Sequence, residues 1–330
     1  IYDNRSEKKK LTEKLIINKL LKKLNFKKTS TYNFQNDGSK ITYPSKKELI
    51  VSQDTLVENV HFFKNDTPES IALKSIRTNL SDILSMGGKP LSYTMSISIN
   101  NTIDYYWIKQ FTNSLYKEQK KHNFYLLGGD IVNSKTLSIT ITVFGLVKKG
   151  KLILRSGSNN NDDIWVTGEI GNSYIGLQIL KNKITIKKKK IKDYFLKHYF
   201  FPSPPLVISQ KLFKFMNSAI DISDGFIGDL EKLTLNNSKG ALIYVKNIPF
   251  SKYSKELINN KIIKIENILS GGDDYQLLFT SKKIYRNKIL HLSKKFKCKV
   301  SLVGEVNNSK KIEFLGLKLN IMKKSYVHRI

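Results

Sequence analysis

The sequence contains a single cysteine, Cys298, which excludes an intramolecular disulfide framework and any Cys-rich zinc site. It has no long apolar run. The longest nearly uncharged stretch, residues 137–147, is too short to span a bilayer and is laced with Ser and Thr. The start of the chain, Ile1 followed by Arg5 and Lys8-Lys9-Lys10, lacks the continuous apolar centre of a signal peptide. A soluble protein of a reducing, cytoplasmic compartment is therefore expected. Acidic residues are scarce, 27 against 57 Lys plus Arg, for a net charge of +30. Arginine is scarcer still: Arg5, Arg77, Arg155, Arg286 and Arg329 are the only five. Selective phosphate and base contacts favour the rigid arginine fork, so lysine spread evenly among Ile and Asn reads as compositional bias. A basic nucleic-acid-binding protein stays open as a reading from another class; otherwise the charge favours anionic small molecules without naming one.

The familiar nucleotide and metal motifs are also missing. No GxGxxG, HExxH or CxxC occurs. The stretch GLVKKGK at 145–151 imitates the start of a P-loop, but Leu152 stands where a Ser or Thr must meet magnesium. The five histidines, His61, His122, His198, His291 and His328, have no metal-ligand spacing.

What is present is a 330-residue chain with 40% hydrophobic and 11% aromatic residues, enough for a sizeable core and for two domains. Apolar residues three or four apart predict helices over 8–24, 69–86 and 107–121. Short β-rich runs predict strands at 48–52, 94–99, 124–127 and 137–147. Beyond a boundary near 148/149, strands are expected at 163–167, 219–222, 267–280 and 299–306, with helices over 173–180, 206–216 and from 225 through 235. The lysine run at 187–190 reads as a solvated helix face or loop. Alternating helices and strands in both halves imply an α/β layered fold: residues 1–148 as one domain with a mixed sheet, residues 149–330 as a second α/β domain.

The scarce aspartates are placed with a pattern. Asp54 is expected to end the strand LIVSQ and Asp130 the strand running into Gly128-Gly129; Asp221 and Asp224 sit three apart in DISD. Asp82 lies on the polar side of its helix with Thr78 and Asn79, and Asp37 precedes Gly38 near a turn. Ligands of open α/β sheets gather beyond the carboxyl ends of strands. Oxygen ligands on separate elements suit Mg²⁺, which is held by a few carboxylates plus substrate phosphates. Composition and spacing thus lead to a magnesium-dependent phosphate site.

At these residues the chain resembles the thiamine-monophosphate kinase family. The similarity lies in Ser52-Gln53-Asp54-Thr55-Leu56-Val57-Glu58-Asn59-Val60-His61-Phe62, in Asn79-Leu80-Ser81-Asp82, and in Met86-Gly87-Gly88-Lys89-Pro90. It continues through Gly128-Gly129-Asp130, Arg155-Ser156-Gly157, Ile220-Asp221-Ile222-Ser223-Asp224-Gly225 and Ser270-Gly271-Gly272-Asp273-Asp274-Tyr275. The resemblance implies ATP-dependent phosphorylation of thiamine monophosphate to thiamine diphosphate. It also implies a homodimer formed through the N-terminal sheets, which bind ATP and Mg²⁺, and a C-terminal α/β sandwich that completes the active-site cleft. By position it implies that Asp37, Ser52, Gln53, Asp54, Asp82, Asp130, Asp221 and Asp224 hold several Mg²⁺ ions. Gly129, Asp130, Arg155 and Ser223 would contact ATP, and His61, Asp273 and Tyr326 the thiamine phosphate. The wider superfamily, with aminoimidazole ribonucleotide synthetase, offers another small-molecule ATP enzyme as the alternative. Selenophosphate synthetase is disfavoured, since no reactive Cys and Lys pair lies near the N-terminus.

The chain departs from that pattern in three places. Gln35-Asn36-Asp37-Gly38-Ser39 stands where the family has glycine and two aspartates; Gln53 replaces threonine and Asp273 replaces glutamate. The attacking phosphate oxygen, with a second pKa of about 6, is largely ionised already, so no general base is required. The obstacle is repulsion between two phosphates, roughly 4 kcal/mol per pair of unit charges at 4 Å and an effective dielectric of 20.

Overall fold

The computed structural model describes residues 12–26, 28–34 and 38–316. Asp37 and Tyr326 lie outside the described residues. The first half contains short helices α1 (Glu13–Ile16) and α2 (Lys28–Thr31), then β1 (Lys47–Val57), α3 (Pro68–Ser85), β2 (Lys89–Ile99), α4 (Tyr105–His122), β3 (Tyr125–Asn133) and β4 (Ser138–Lys148). The four strands form one sheet in the order β1-β4-β2-β3, with β2 and β3 parallel. Alternation sets its faces: Tyr93, Met95 and Ile97 of β2 and Ile139, Ile141 and Val143 of β4 are buried, while Ser96 of β2 is exposed. Helix α4 starts on Asp104, whose carboxylate accepts the Trp107 amide at 2.7 Å, and stops at left-handed Asn123.

The second half contains β5 (Asp163–Thr167), α5 (Asn172–Leu180), α6 (Lys189–Phe200), α7 (Leu206–Leu212), β6 (Ser218–Asp221), α8 (Phe226–Leu233) and β7 (Gly240–Tyr244). It continues with α9 (Lys252–Asn259), α10 (Ile265–Leu269), β8 (Leu277–Ser281), α11 (Arg286–Lys295), β9 (Val300–Asn307) and β10 (Ile312–Leu315). These six strands make a mixed sheet in the order β10-β7-β9-β5-β8-β6. β10 runs parallel to β7; the remaining pairs are antiparallel. Each face carries its own core. Ile164 and Val166 pack with Ile175, Phe195, Phe226 and Leu230 on one side. Trp165, pointing the other way, packs with Leu212, Phe279 and Ile289. Helices on both faces give the α/β sandwich.

The described residues divide into two compact units, one made of residues up to 45, 51–76 and 90–144, the other of 46–50, 77–89 and from 145 onward. Strands β1, β2 and β4 and helix α3 each have residues in both. In the second unit, the end of α3 is seated by two absent side chains. A Cβ on Gly88 would stand 2.3 Å from Ile50 and one on Gly145 2.5 Å from Ile83.

Several elements differ from the sequence reading. β1 continues past Asp54 to Val57, and β3 continues through Gly128-Gly129-Asp130, so neither aspartate ends its strand. Gly129 is there for close approach, since its Cβ would stand 1.7 Å from the Met95 carbonyl oxygen of the neighbouring strand. The strand expected over 267–280 is in fact α10 and a loop before β8. Positive φ at Asp273 (70°) and Tyr275 (51°) breaks an extended chain there. Helix α6 starts at Lys189, so the end of the lysine run is the exposed first turn of a helix.

Candidate active site

The turn after β6 is closely packed and densely hydrogen-bonded. Asp221 is 3% exposed at the end of β6 and accepts a hydrogen bond from the Ser81 hydroxyl of α3 at 2.7 Å. Burial first, and then the charge of nearby Asp82, push the Asp221 carboxyl up to about 8, against the pull of Ser81 and Arg155. A buried carboxyl and a half-buried one from separate elements thus act on one another, beside a hydroxyl and within the field of a guanidinium. Like charges held together in this way are costly unless a cation joins them.

The next residues are shaped by Asp229, a fully buried acid in the first turn of α8. Its Oδ2 accepts the backbone amides of Ser223 and Asp224, both at 3.0 Å. Lys232, one turn on, donates to Asp224 at 2.6 Å and to Asp229 at 2.8 Å. Burial lowers the Lys232 pKa, but these two carboxylates outweigh it and leave the ammonium above its ordinary value.

The Ser270–Tyr275 loop lies directly on this turn. The Asp273 amide donates to the Ser223 carbonyl at 2.9 Å, and the Tyr275 amide to that of Ile222 at 2.8 Å. The fit requires glycine: a Cβ on Gly272 would stand 2.1 Å from the Ser223 carbonyl oxygen, and Gly225, at φ 107°, faces Ser270 backbone at 2.7 Å. Ser223 and Asp273, assigned in sequence to different reactants, are therefore backbone neighbours. The Asp273 carboxylate accepts the Tyr275 hydroxyl at 2.9 Å. Asp274 is buried beneath, accepting the Gly171 amide at 2.7 Å before α5; burial pushes it up to about 8 against the pull of the Gly171 and Ser173 amides.

The remaining candidates lie on the four-stranded sheet. Ser52 and Asp54 share one face of β1 with buried Leu56, whereas Gln53 projects with exposed Val51 and Thr55 on the other. On β3 a bulge at Leu127, opposite Tyr93 and Thr94 of β2, pairs Gly128 with Thr94 and Asp130 with Ser96. The bulge carries the even-numbered residues to the other face, so Asp130 stands exposed with Ser96. The Asp130 carboxylate accepts the Ile131 amide at 2.8 Å. His61 lies in the turn after β1, where its Nδ1 accepts the Val57 amide at 3.0 Å, which puts the proton of the neutral ring on Nε2. Lys74 donates to the His61 carbonyl at 3.1 Å. Arg155 is exposed, its carbonyl accepting the Asn237 amide at 3.0 Å.

Comparison with known proteins decides the family. Residues 35–147 match the family model described as AIR synthase related protein, N-terminal domain. The thiamine-monophosphate kinase of Buchnera aphidicola subsp. Acyrthosiphon pisum is 38% identical over 92% of this chain and 97% of its own length. That of Escherichia coli K12 is 34% identical over 82% of this chain and 84% of its own. The chain belongs to the thiamine-monophosphate kinase family. Members are phosphotransferases. The crystal structure of thiamine-monophosphate kinase from Stenotrophomonas maltophilia K279a superposes with TM-score 0.79 and 26% identity, covering 86% of this chain and 90% of that one. A second structure, AaThiL complexed with AMPPCP and TMP, has TM-score 0.76 and 24% identity, covering 88% and 91%. It shares the α/β fold.

Sequence reasoning missed the residues that shape the kinase-family turn rather than form its motifs: Ser81 beneath Asp221, Asp229 behind the Ser223 and Asp224 amides, and Lys232 across both acids. Asp229 reads in sequence as an ordinary acid of a first helical turn. The spacing Asp229 to Lys232, three apart, was the available signal for the pair. A surface hollow of about 380 Å³ lined by Lys211, Phe215, Lys288 and His291 shares no residue with this site.

Proposed function

We propose that this chain transfers the γ-phosphoryl group of ATP directly, in line, to thiamine monophosphate, giving thiamine diphosphate and ADP. The observation that carries the reading is buried Asp221 at the end of β6, bonded to the Ser81 hydroxyl of α3, with Asp82 the next residue of that helix. The solved neighbour with AMPPCP and TMP supports the choice of a nucleoside triphosphate and a thiamine phosphate as ligands.

Among the described residues, no three acidic, imidazole or thiol groups form a preformed metal cage. Mg²⁺ seldom uses one; one or two carboxylates plus substrate phosphates and water are its usual ligands. The donor set is all oxygen, so it fits. Asp82 and Asp221, with Asp54, Asp130, Asp224, Ser52, Gln53 and Asp37, are the proposed ligands of several Mg²⁺ ions. When bound, Mg²⁺ would screen the two phosphates from one another and stabilise charge on the departing ADP.

The chain's own residues supply position and fixed charge. Ser81 holds Asp221 in one orientation. Arg155 offers a bidentate fork to an ATP phosphate, as Gly129, Asp130 and Ser223 offer further contacts. Asp273, fixed by Tyr275, and His61, with Nε2 as donor, are proposed to meet the thiamine phosphate, together with Tyr326. No side chain need remove a proton, because the acceptor oxygen is already ionised. Residues 1–148 are assigned the nucleotide and dimer contacts; exposed Val51 and Val132 on β1 and β3 support a homodimer through that sheet. Among the described residues no helix is long and apolar enough to cross a membrane, which accords with a cytoplasmic enzyme.

The test is ADP release with thiamine monophosphate, free thiamine and an aminoimidazole ribonucleotide precursor offered in parallel. Turnover with thiamine monophosphate alone supports the assignment. Turnover with the aminoimidazole precursor would move the chain to another activity of the superfamily, and salt-sensitive nucleic-acid binding without turnover would move it out of the class.

A further inference from the structure

Three carboxylates crowd the turn after β6, and they are not compensated alike. Asp221 meets the Ser81 hydroxyl. Asp224 and Asp229 instead share an ammonium: Lys232 Nζ lies 2.6 Å from Asp224 Oδ2 and 2.8 Å from Asp229 Oδ1. Asp229 is fully buried and its other oxygen is spent on two backbone amides, so its position is fixed. The Asp224 side chain is 37% exposed and that of Lys232 31%, so this end of the arrangement opens to solvent. An ammonium seated between two carboxylate oxygens occupies the kind of place a small cation takes. A divalent ion that binds Asp224 Oδ2 directly, at the roughly 2.1 Å typical of Mg²⁺, must share that oxygen with the ammonium and meets its positive charge at close range.

We propose that Lys232 is a tethered cation that competes with a divalent ion for Asp224, neutralising the turn before the ion arrives and weakening the ion's hold on it. The inference rests on the assignment of Asp224 as a metal ligand made above. Lysine suits the role because its flexible four-carbon stem lets the charge withdraw, and because the ammonium carries three donors, two of which serve the acids here. In the ion's absence Lys232 spares Asp229, an acid with no exposure, from facing Asp224 uncompensated.

The experiment is Mn²⁺ binding to the whole protein, followed by electron paramagnetic resonance without nucleotide, for the wild type, Lys232→Met, Lys232→Gln and Lys232→Arg. Losing one unit charge beside a half-exposed ligand should tighten binding about tenfold in Lys232→Met. Lys232→Gln keeps amide donors without the charge, so it should tighten likewise and covers the case in which Lys232→Met fails to fold. Lys232→Arg keeps the charge and should stay within about twofold of the wild type. Neutral variants that bind Mn²⁺ as the wild type does, or more weakly, would overturn the competition while leaving the metal site in place. Absence of Mn²⁺ binding in all four proteins, also after a non-hydrolysable ATP analogue is added, would overturn the metal assignment and, with it, this inference.

Discussion

The two groups of candidate aspartates live in opposite environments. Asp221 is buried at a strand end, within the field of Asp82, and leads into a turn whose close packing against the Ser270–Tyr275 loop requires glycine. Asp130 stands exposed in mid-strand on β3, and Asp54 half-buried in mid-strand on β1. The first arrangement is electrostatically expensive and sterically exacting, which is the signature of a place kept for chemistry rather than stability. The second costs the fold little. If both groups serve the proposed reaction, substitutions in them should affect stability and activity in different proportions.

That contrast can be broken by substitution, beginning with the strongest effect. Asp221→Asn removes a buried carboxyl that the metal-free fold must either protonate or leave charged beside Asp82. It should lower ADP formation by about a hundredfold or more while raising the thermal midpoint of the metal-free protein. A variant that loses activity and stability together would mark Asp221 as a structural acid. Asp130→Asn should lower ADP formation without moving the midpoint, and a large fall in midpoint would erase the distinction between the two groups.

Next come the glycines. Gly272→Ala places a methyl 2.1 Å from the Ser223 carbonyl, and Gly129→Ala places one 1.7 Å from that of Met95. Each should destabilise by about 3 kcal/mol in denaturant titration. Gly128→Ala, with nothing within 4 Å of its new methyl, should stay within about 0.5 kcal/mol of the wild type. Equal losses at 128 and 129 would contradict the close approach of β2 to β3.

A further effect concerns pH. Asp274 has its folded pKa raised from 3.8 to about 8, so between those values the native state holds a proton that the unfolded chain has released. Its contribution to stability is therefore complete below about pH 4 and is lost as pH rises through 8. In metal-free buffer, Asp274→Asn should flatten the fall of the thermal midpoint between pH 5 and 9. An unchanged slope would place the titration elsewhere.

Much of this was legible in the residues, and the exceptions have physical causes. Helix α3 and strand β5 follow from their apolar periods, because those periods are what the two cores read. At Asp130 a glycine pair looks like a stop, although Gly129 in fact admits the carbonyl of a partner strand; at Asp54 the polar run Ser52-Gln53-Asp54 looks like an end, although β1 continues to Val57. The same holds for residues 267–280, where Ile268 and Leu269 are buried from a short helix rather than a strand. At the site, the motif aspartates announced themselves by rarity in a basic chain. Ser81, Asp229 and Lys232 did not, because each acts on a residue distant in sequence or hidden within an ordinary helical turn.

The central claim is that Asp82 and its partner carboxylates hold Mg²⁺ for phosphoryl transfer. Its most direct test is the initial rate of ADP formation from ATP and thiamine monophosphate across a Mg²⁺ titration, in the wild type and in Asp82→Asn. The account predicts a wild-type rate that rises with Mg²⁺ and vanishes on chelation, and a folded variant slower by about a hundredfold or more at every concentration. Full turnover in the variant, or a wild-type rate indifferent to chelation, would contradict it.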